Sequence, residues 1–197
     1  MENKEFYKEY MECFLEENSK VNLISKNDEK FLWEKHVFDS LAIEKFFYKY
    51  LPKSATLLDI GTGGGFPSVP IALTYPKIQV TALDSIAKKI RAIESIKDKL
   101  QIKNLTPVCD RVENTDGKFD IVTSRAVSSL DKICAYALPK LKKNGYFVAY
   151  KSRKSEEEIE NAKNVLKKFK AEVVDVIEYE LPLDEKIDRN LIIIKFK

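Results

Sequence analysis

The 197 residues of the chain, 44% hydrophobic and 33% charged, fit one domain with a small appendage better than two full domains. No stretch is apolar for long enough to span a bilayer, and the polar opening Met1-Glu2-Asn3-Lys4-Glu5 does not read as a signal peptide. The net charge of +3 is uneven (−3 over residues 1–50, +6 over 51–150, zero over 151–197); this mid-chain basic field suits an anionic partner, although a solvated lysine-rich surface gives the same count.

The first twenty residues predict an amphipathic helix, with Phe6, Tyr10, Cys13, Phe14 and Leu15 at helical spacing. The pattern breaks over 21–24. A second helical stretch runs over about 28–50, with Phe31, Leu32, His36, Leu41, Ile43, Phe46 and Phe47 as apolar or semi-apolar positions, and Pro52 stops it. Residues 1–52 therefore read as an N-terminal helical extension to a domain over 53–197. Beyond residue 55 the period changes. Strands are predicted over 56–60, 78–83, 105–109, 119–123, 146–150, 171–180 and 190–196. Helices are predicted over 67–74, 87–100, 130–141 and 156–169, with Asn144-Gly145 as a C-cap signal after the third. This alternation predicts an α/β fold with right-handed crossovers and about seven strands, mostly parallel.

Three cysteines (Cys13, Cys109, Cys134) are odd in number and far apart, so no disulfide framework or thiolate metal cluster is expected. That suits a reducing, cytoplasmic setting without metal or membrane. Cys109 and Cys134 are expected to pack in the core.

The densest local signal is Asp59-Ile60-Gly61-Thr62-Gly63-Gly64-Gly65-Phe66-Pro67, where four of the six glycines fall in five residues between a strand and a helix. Glycine permits positive φ and close approach of a ligand to the backbone. No Lys-Ser/Thr follows, which excludes a phosphate-cradling P-loop. Phe66 stands where a dinucleotide fingerprint needs its third glycine. The remaining form, Asp-x-Gly-x-Gly-x-Gly, resembles the first motif of class I S-adenosylmethionine methyltransferases, a Rossmann-like fold. Asp84 ends the second strand 19 residues past Gly65 and is placed to accept hydrogen bonds from ribose hydroxyls. Taken alone it could cap the helix beginning near Ala87, but beside the glycine loop the ribose role is favoured. At the next strand end, Val112 and Glu113 are either adenine neighbours or ordinary loop packing.

Other segments narrow the resemblance. Asn22-Leu23-Ile24-Ser25, Trp33-Glu34-Lys35-His36-Val37-Phe38-Asp39-Ser40-Leu41, the two prolines of Phe66-Pro67-Ser68-Val69-Pro70, Leu83-Asp84-Ser85 with Lys88-Lys89, Val122-Thr123-Ser124-Arg125-Ala126-Val127, Ala149-Tyr150-Lys151 and Asp188-Arg189-Asn190 together resemble the ribosomal RNA small subunit methyltransferase G family, also called glucose-inhibited division protein B. The resemblance covers nearly the whole chain. It implies S-adenosyl-L-methionine as cofactor and N7 of a guanine in 16S ribosomal RNA as acceptor, free or in the 30S subunit. It further implies that Gly61, Gly63 and Phe66 line the cofactor pocket, Val112 and Glu113 meet its adenine end and Arg125 borders its methionine end. The sequence departs from the commonest pattern at Val112-Glu113, where Ala-Glu is usual, and at Tyr150-Lys151-Ser152, where Leu-Lys-Gly or Leu-Lys-Ala is usual.

Guanine N7 has a lone pair and no proton to lose, so such an enzyme needs positioning rather than a general base. Accordingly, Ser124-Arg125-Ala126 is neither an Asn/Asp-Pro-Pro-Tyr/Phe motif nor a Pro-Cys nucleophile motif. The catalytic candidates are Arg125 and the sole histidine, His36, which could act as a base but more simply orients the N-terminal helices. Lys88, Lys89, Arg91, Lys151 and Arg153 are the candidate RNA contacts, with Arg111 and Lys154 also near strand ends. The charged surface suggests a monomer. Two other readings stay open: a class I methyltransferase acting on another RNA or a small molecule, and a non-catalytic RNA-binding protein of the same fold.

Overall fold

The computed structural model describes residues 4–50, 55–152 and 155–197. Pro52, Arg153 and Lys154, singled out above, lie outside the described residues, as does the 52/53 boundary.

A 3-10 turn at Lys4–Tyr7 leads into α1 (Lys8–Val21), which ends with Asn22 in the left-handed region. Tyr7, Tyr10 and Phe14 are the buried aromatic residues of this stretch; Phe6 is 62% exposed and Leu15 also faces solvent. The predicted helix is thus real, but the 3-10 turn rotates its first apolar contact from Phe6 to Tyr7. The stretch expected as one helix over 28–50 is broken into α2 (Lys26–Glu29), a π-helix (Leu32–Phe38), α3 (Asp39–Leu41) and α4 (Glu44–Tyr50). A π-helix spreads its turns to re-aim side chains and recurs at functional sites; here it carries His36.

The remaining elements alternate as expected: β1 (Ala55–Ile60), α5 (Ser68–Thr74), β2 (Ile78–Asp84), α6 (Ala87–Lys99), β3 (Leu105–Cys109), β4 (Phe119–Arg125), α7 (Leu130–Ala137), β5 (Leu141–Ser152), α8 (Ser155–Lys168), β6 (Ala171–Glu180) and β7 (Asp188–Phe196). They form one seven-stranded sheet in the order 3-2-1-4-5-7-6. β1 to β5 run parallel, and β7 joins β5 and β6 antiparallel.

Strands buried on both faces read as continuous apolar runs, and alternate residues supply two cores. Leu57, Val80, Val148 and Ile193 face the layer of N-terminal helices, α5 and α6; Leu58, Leu83, Phe147 and Ile194 face α7 and α8. Tyr7, Phe14, Leu32, Val37 and Phe46 belong to the first core, so the N-terminal segment packs as part of that layer. Polar ties reinforce it. The Glu17 carboxylate, 6% exposed, accepts from Ser95 Oγ (2.9 Å) on α6, and Lys99 pairs with Glu16 at 2.8 Å.

Two expectations fail here. α7 gives way to a 3-10 turn at Leu138–Lys140, and Asn144-Gly145 lies inside β5 rather than capping a helix. Pairing jumps from Phe119↔Leu141 to Ile121↔Tyr146, a bulge that holds Asn144 at φ 64°. A Cβ on Gly145 would come within 2.9 Å of the Lys142 carbonyl oxygen, so only glycine fits the bulge. Cys134 is buried as expected, but Cys109 is exposed because β3 is the sheet edge.

Candidate active site

β1 and β4 are adjacent, yet their connections leave on opposite sides of the sheet. In open α/β sheets ligands bind outside the carboxyl ends of strands at such a switch point. The chain turns sharply after β1: Gly61 N–H and Thr62 N–H both donate to the Leu83 carbonyl, at 2.8 and 2.9 Å. Gly61 sits at φ 69°, and a Cβ there would lie 2.5 Å from Val127 Cγ2. Gly65, at φ 91°, would meet Val69 Cγ2 at 2.6 Å. A side chain on Gly61 would therefore close the gap between the turn and the loop after β4, and one on Gly65 would collide with α5.

Asp84, at the end of β2, is 9% exposed. Its Oδ2 accepts from Gly63 N–H and its Oδ1 from Ile86 N–H, both at 2.9 Å. The carboxylate thus braces the glycine turn and the entry to α6 at once. Each carboxylate oxygen has a second lone pair, so both can still accept from a ligand.

These elements surround a cleft of about 930 Å³. The structure brings Gly61, Gly63, Phe66, Asp84, Val112, Glu113 and Arg125 to its wall, together with His36. The loop 22–25 reaches it through Leu23 and Ile24, held by a hydrogen bond from Ile24 N–H to Asn18 Oδ1 (2.8 Å).

Arg125 ties this wall to the N-terminal layer. Its guanidinium lies 5.2 Å from the Phe66 ring centre and donates to Lys35 O (3.1 Å), Asp39 Oδ2 (2.8 Å) and His36 Nδ1 (3.1 Å). Asp39, 4% exposed, also accepts from Tyr179 Oη at 2.7 Å. A guanidinium only donates, so His36 Nδ1 must accept and Nε2 must carry the proton. Burial, with the neighbouring Arg125 charge, pushes the imidazole down to about 4. His36 is therefore a neutral donor near pH 7, with no lone pair left to serve as a base. Asp59, fully buried beneath the turn, accepts from Thr123 Oγ1 at 2.9 Å, and burial raises its carboxyl to about 6.

These shifts have opposite signs for stability. The depressed His36 contributes stability above its unfolded value of about 6.5 that is lost as pH falls through about 4. The raised Asp59 contributes stability at low pH that is lost as pH rises through about 6. The wild-type profile mixes the two, so the test is a comparison of variants. Thermal melts of wild type and His36→Gln should converge as pH falls from 6.5 to 4; a pH-independent gap would contradict a buried neutral imidazole.

The rRNA small subunit methyltransferase G family matches residues 3–191. A protein of that name from Staphylococcus saprophyticus is 40% identical over 194 residues, covering 95% of this chain and 80% of the relative. One from Bacillus subtilis is 36% identical, covering 94% and 79%. The chain belongs to the rRNA small subunit methyltransferase G family.

Solved structures share the fold at low identity. A Pyrococcus furiosus methyltransferase superposes with TM-score 0.63 at 18% identity, over 80% of this chain and 82% of that one. M. jannaschii TYW2 in complex with AdoMet gives 0.61 at 16%, over 81% and 77%. The sheet is thus that of class I methyltransferases.

Within this family member the candidate RNA contacts divide. Lys89 stands at the cleft rim, while Lys88 and Arg91 are exposed on α6. Lys151 is no free rim cation: it donates to Ser128 O at 2.7 Å and pairs with Glu158 at 2.6 Å, its side chain 11% exposed. Arg153 lies outside the described residues. Sequence reasoning missed Ile86, Lys132 and Tyr136 on the cleft wall, and the partners of Asp39. The α7 pattern held a signal for two of them, because Lys132 and Tyr136 fall off its buried face of Leu130, Ile133, Cys134 and Ala137. Among the described residues no group of three or more His, Cys, Asp or Glu could hold a metal ion, and no helix is long and apolar enough to cross a membrane.

Proposed function

We propose that the chain transfers a methyl group from S-adenosyl-L-methionine to N7 of a guanine in 16S ribosomal RNA, free or within the 30S subunit, as a cytoplasmic monomer. The observation that carries this reading is the side-chain-free turn at Gly61, braced by Asp84, over a cleft in a chain of this family. The residues fit the donor. Gly61 leaves the gap that a Cβ would fill, Asp84 keeps lone pairs that would take ribose hydroxyls, and Val112 and Glu113, on the same wall, would edge the adenine end. The three unpaired cysteines suit the reducing cytoplasm.

When bound, the donor supplies an activated methyl group, so the acceptor nitrogen needs no catalytic base. The residues of the chain then have to orient and exclude water. His36 cannot take a proton in its present tautomer, and Arg125 is neutralised by Asp39. Neither opposes the positive charge that develops on a methylated purine.

Calorimetry should detect saturable donor binding, and labelled methyl should pass to 30S particles or free 16S RNA and map to guanine N7 by mass spectrometry. Donor binding without transfer to RNA would favour a small-molecule substrate; absence of donor binding would sink the reading. For the RNA-facing surface, Lys88→Glu with Arg91→Glu should weaken RNA binding and lower its salt slope by about 1 per lost phosphate contact. Donor affinity should stay unchanged. RNA binding equal to wild type across a salt series would remove α6 from the interface.

A further inference from the structure

Beside the donor cleft lies a second one, of about 780 Å³, at the carboxyl ends of β4 and β5. The two share one wall, formed by His36, Arg125 and Ala126 to Ser128. Its far side comes from Lys151 on β5, Glu158 on α8 and Arg189 at the start of β7.

We infer that this second cleft is the subsite for the acceptor guanine, turned out of its strand, and that Glu158 reads the guanine N–H edge. The inference rests on the methyltransferase reading above.

Charge decides against a phosphate. Four cations line the cleft, but three acids answer them: Lys35 pairs with Asp28 at 2.9 Å, Arg125 with Asp39 at 2.8 Å and Lys151 with Glu158 at 2.6 Å. Arg189 Nε is 3.9 Å from the same Asp39. A wall of compensated pairs offers donors and acceptors with little net field. That suits a neutral heterocycle rather than the RNA backbone, which demands surplus positive charge.

Glu158 is set up as a reader. Its Oε2 accepts from Leu130 N–H (2.7 Å) and from Lys151, which fixes the carboxylate. No contact of Oε1 occurs among the described residues, and the side chain is 25% exposed. Guanine presents two adjacent donors, N1–H and N2–H, to such an oxygen, whereas adenine offers one donor, N6–H, beside a repelling lone pair at N1. Enzymes that modify a base extrude it and read its Watson–Crick edge in this way. The shared wall adds a donor for a purine carbonyl: His36 Nε2 is buried without a partner. Above it, Ala126 sits at φ 56° and Val127 is 44% exposed, so little packing holds that loop in place. Such strain concentrates at functional sites.

The test uses the purified full chain saturated with S-adenosylhomocysteine and titrated with guanosine, adenosine or inorganic phosphate, followed by NMR of Ser128, Lys151 and Arg189. Guanosine should shift these resonances and bind about tenfold more tightly than adenosine, the discrimination of one charged hydrogen bond. Glu158→Gln should erase that preference, and at saturating RNA should lower kcat without changing RNA affinity. Gln keeps an acceptor for Leu130 N–H but leaves the Lys151 charge without its counter-ion, so its melting temperature should fall by a few degrees while the chain still folds. The guanosine preference of the wild type tests the idea even if the variant misfolds. Equal response to both nucleosides, no response, or displacement of guanosine by phosphate would each overturn the inference. If S-adenosylhomocysteine binds in those samples, the methyltransferase reading survives that failure; if it does not bind, the underlying reading falls first.

Discussion

Gly61→Ala should fold, melt a few degrees lower and bind S-adenosylmethionine at least about tenfold more weakly, a change of about 1.4 kcal/mol. Two physical terms contribute. At φ 69° an L-residue costs about 1–2 kcal/mol relative to glycine. The new methyl also falls 2.5 Å from Val127 Cγ2, a distance no non-bonded pair of carbons tolerates. Because Val127 is 44% exposed on a loop, it yields more readily than the buried strand below Gly61. Displacement of Val127 deforms the donor cleft without unfolding the core. Val127→Ala in the Gly61→Ala background should recover part of the affinity and none of the melting temperature, since the φ strain remains. Calorimetry and thermal melts on the single and double variants separate the two terms. Equal affinity of the single and double variants would show that steric contact with Val127 is not the cause.

The sheet was legible in the sequence because short β-branched or apolar runs alternate with helical stretches: Tyr146 to Tyr150 in β5 is an unbroken apolar run, and β1, β2 and β4 keep shorter ones interrupted by single polar residues such as Asp59, Thr81 and Thr123. The donor cleft was legible because a glycine turn and a strand-end carboxylate lie close in sequence. Their actual bond, Asp84 Oδ2 to Gly63 N–H, was not foreseen, since spacing placed the carboxylate near a ligand without showing that it also holds the turn. Asn144-Gly145 misled for a different reason. Positive φ serves a helix C-cap and a bulge equally, and pairing with β4 decides between them. The wall behind Arg125 was hidden because its members are remote in the chain: Asp39 meets Tyr179 across 140 residues. The role of Glu158 was hidden too, because a charged residue in the first turn of an acidic helix looks like ordinary dipole compensation. Only the approach of Lys151 and Leu130 N–H from other elements makes it distinctive.

That remote wall carries the largest expected stability effect. The Arg125 and Asp39 side chains are 15% and 5% exposed and meet at 2.8 Å. Deleting one partner of a buried pair leaves a charge without its counter-ion, which costs about 3–5 kcal/mol. Arg125→Met leaves Asp39 with Tyr179 Oη at 2.7 Å and a distant Arg189 at 3.9 Å, which replace only part of the lost field. For a chain of this size the expected fall in melting temperature is about 6 °C or more. Asp39→Asn should cost less, because Arg125 keeps Lys35 O and His36 Nδ1 as acceptors. The double variant should be more stable than Arg125→Met alone, because the orphaned carboxylate is gone. Denaturant titrations of the four proteins close the cycle, and additive losses would mean that the pair is not coupled. His36 gives a separate readout. Without the guanidinium its Nδ1 loses the hydrogen bond that fixes the tautomer, and the Arg125 charge no longer opposes protonation. Its pKa, followed by NMR, should therefore rise in Arg125→Met and stay low in a conservative Arg125→Lys.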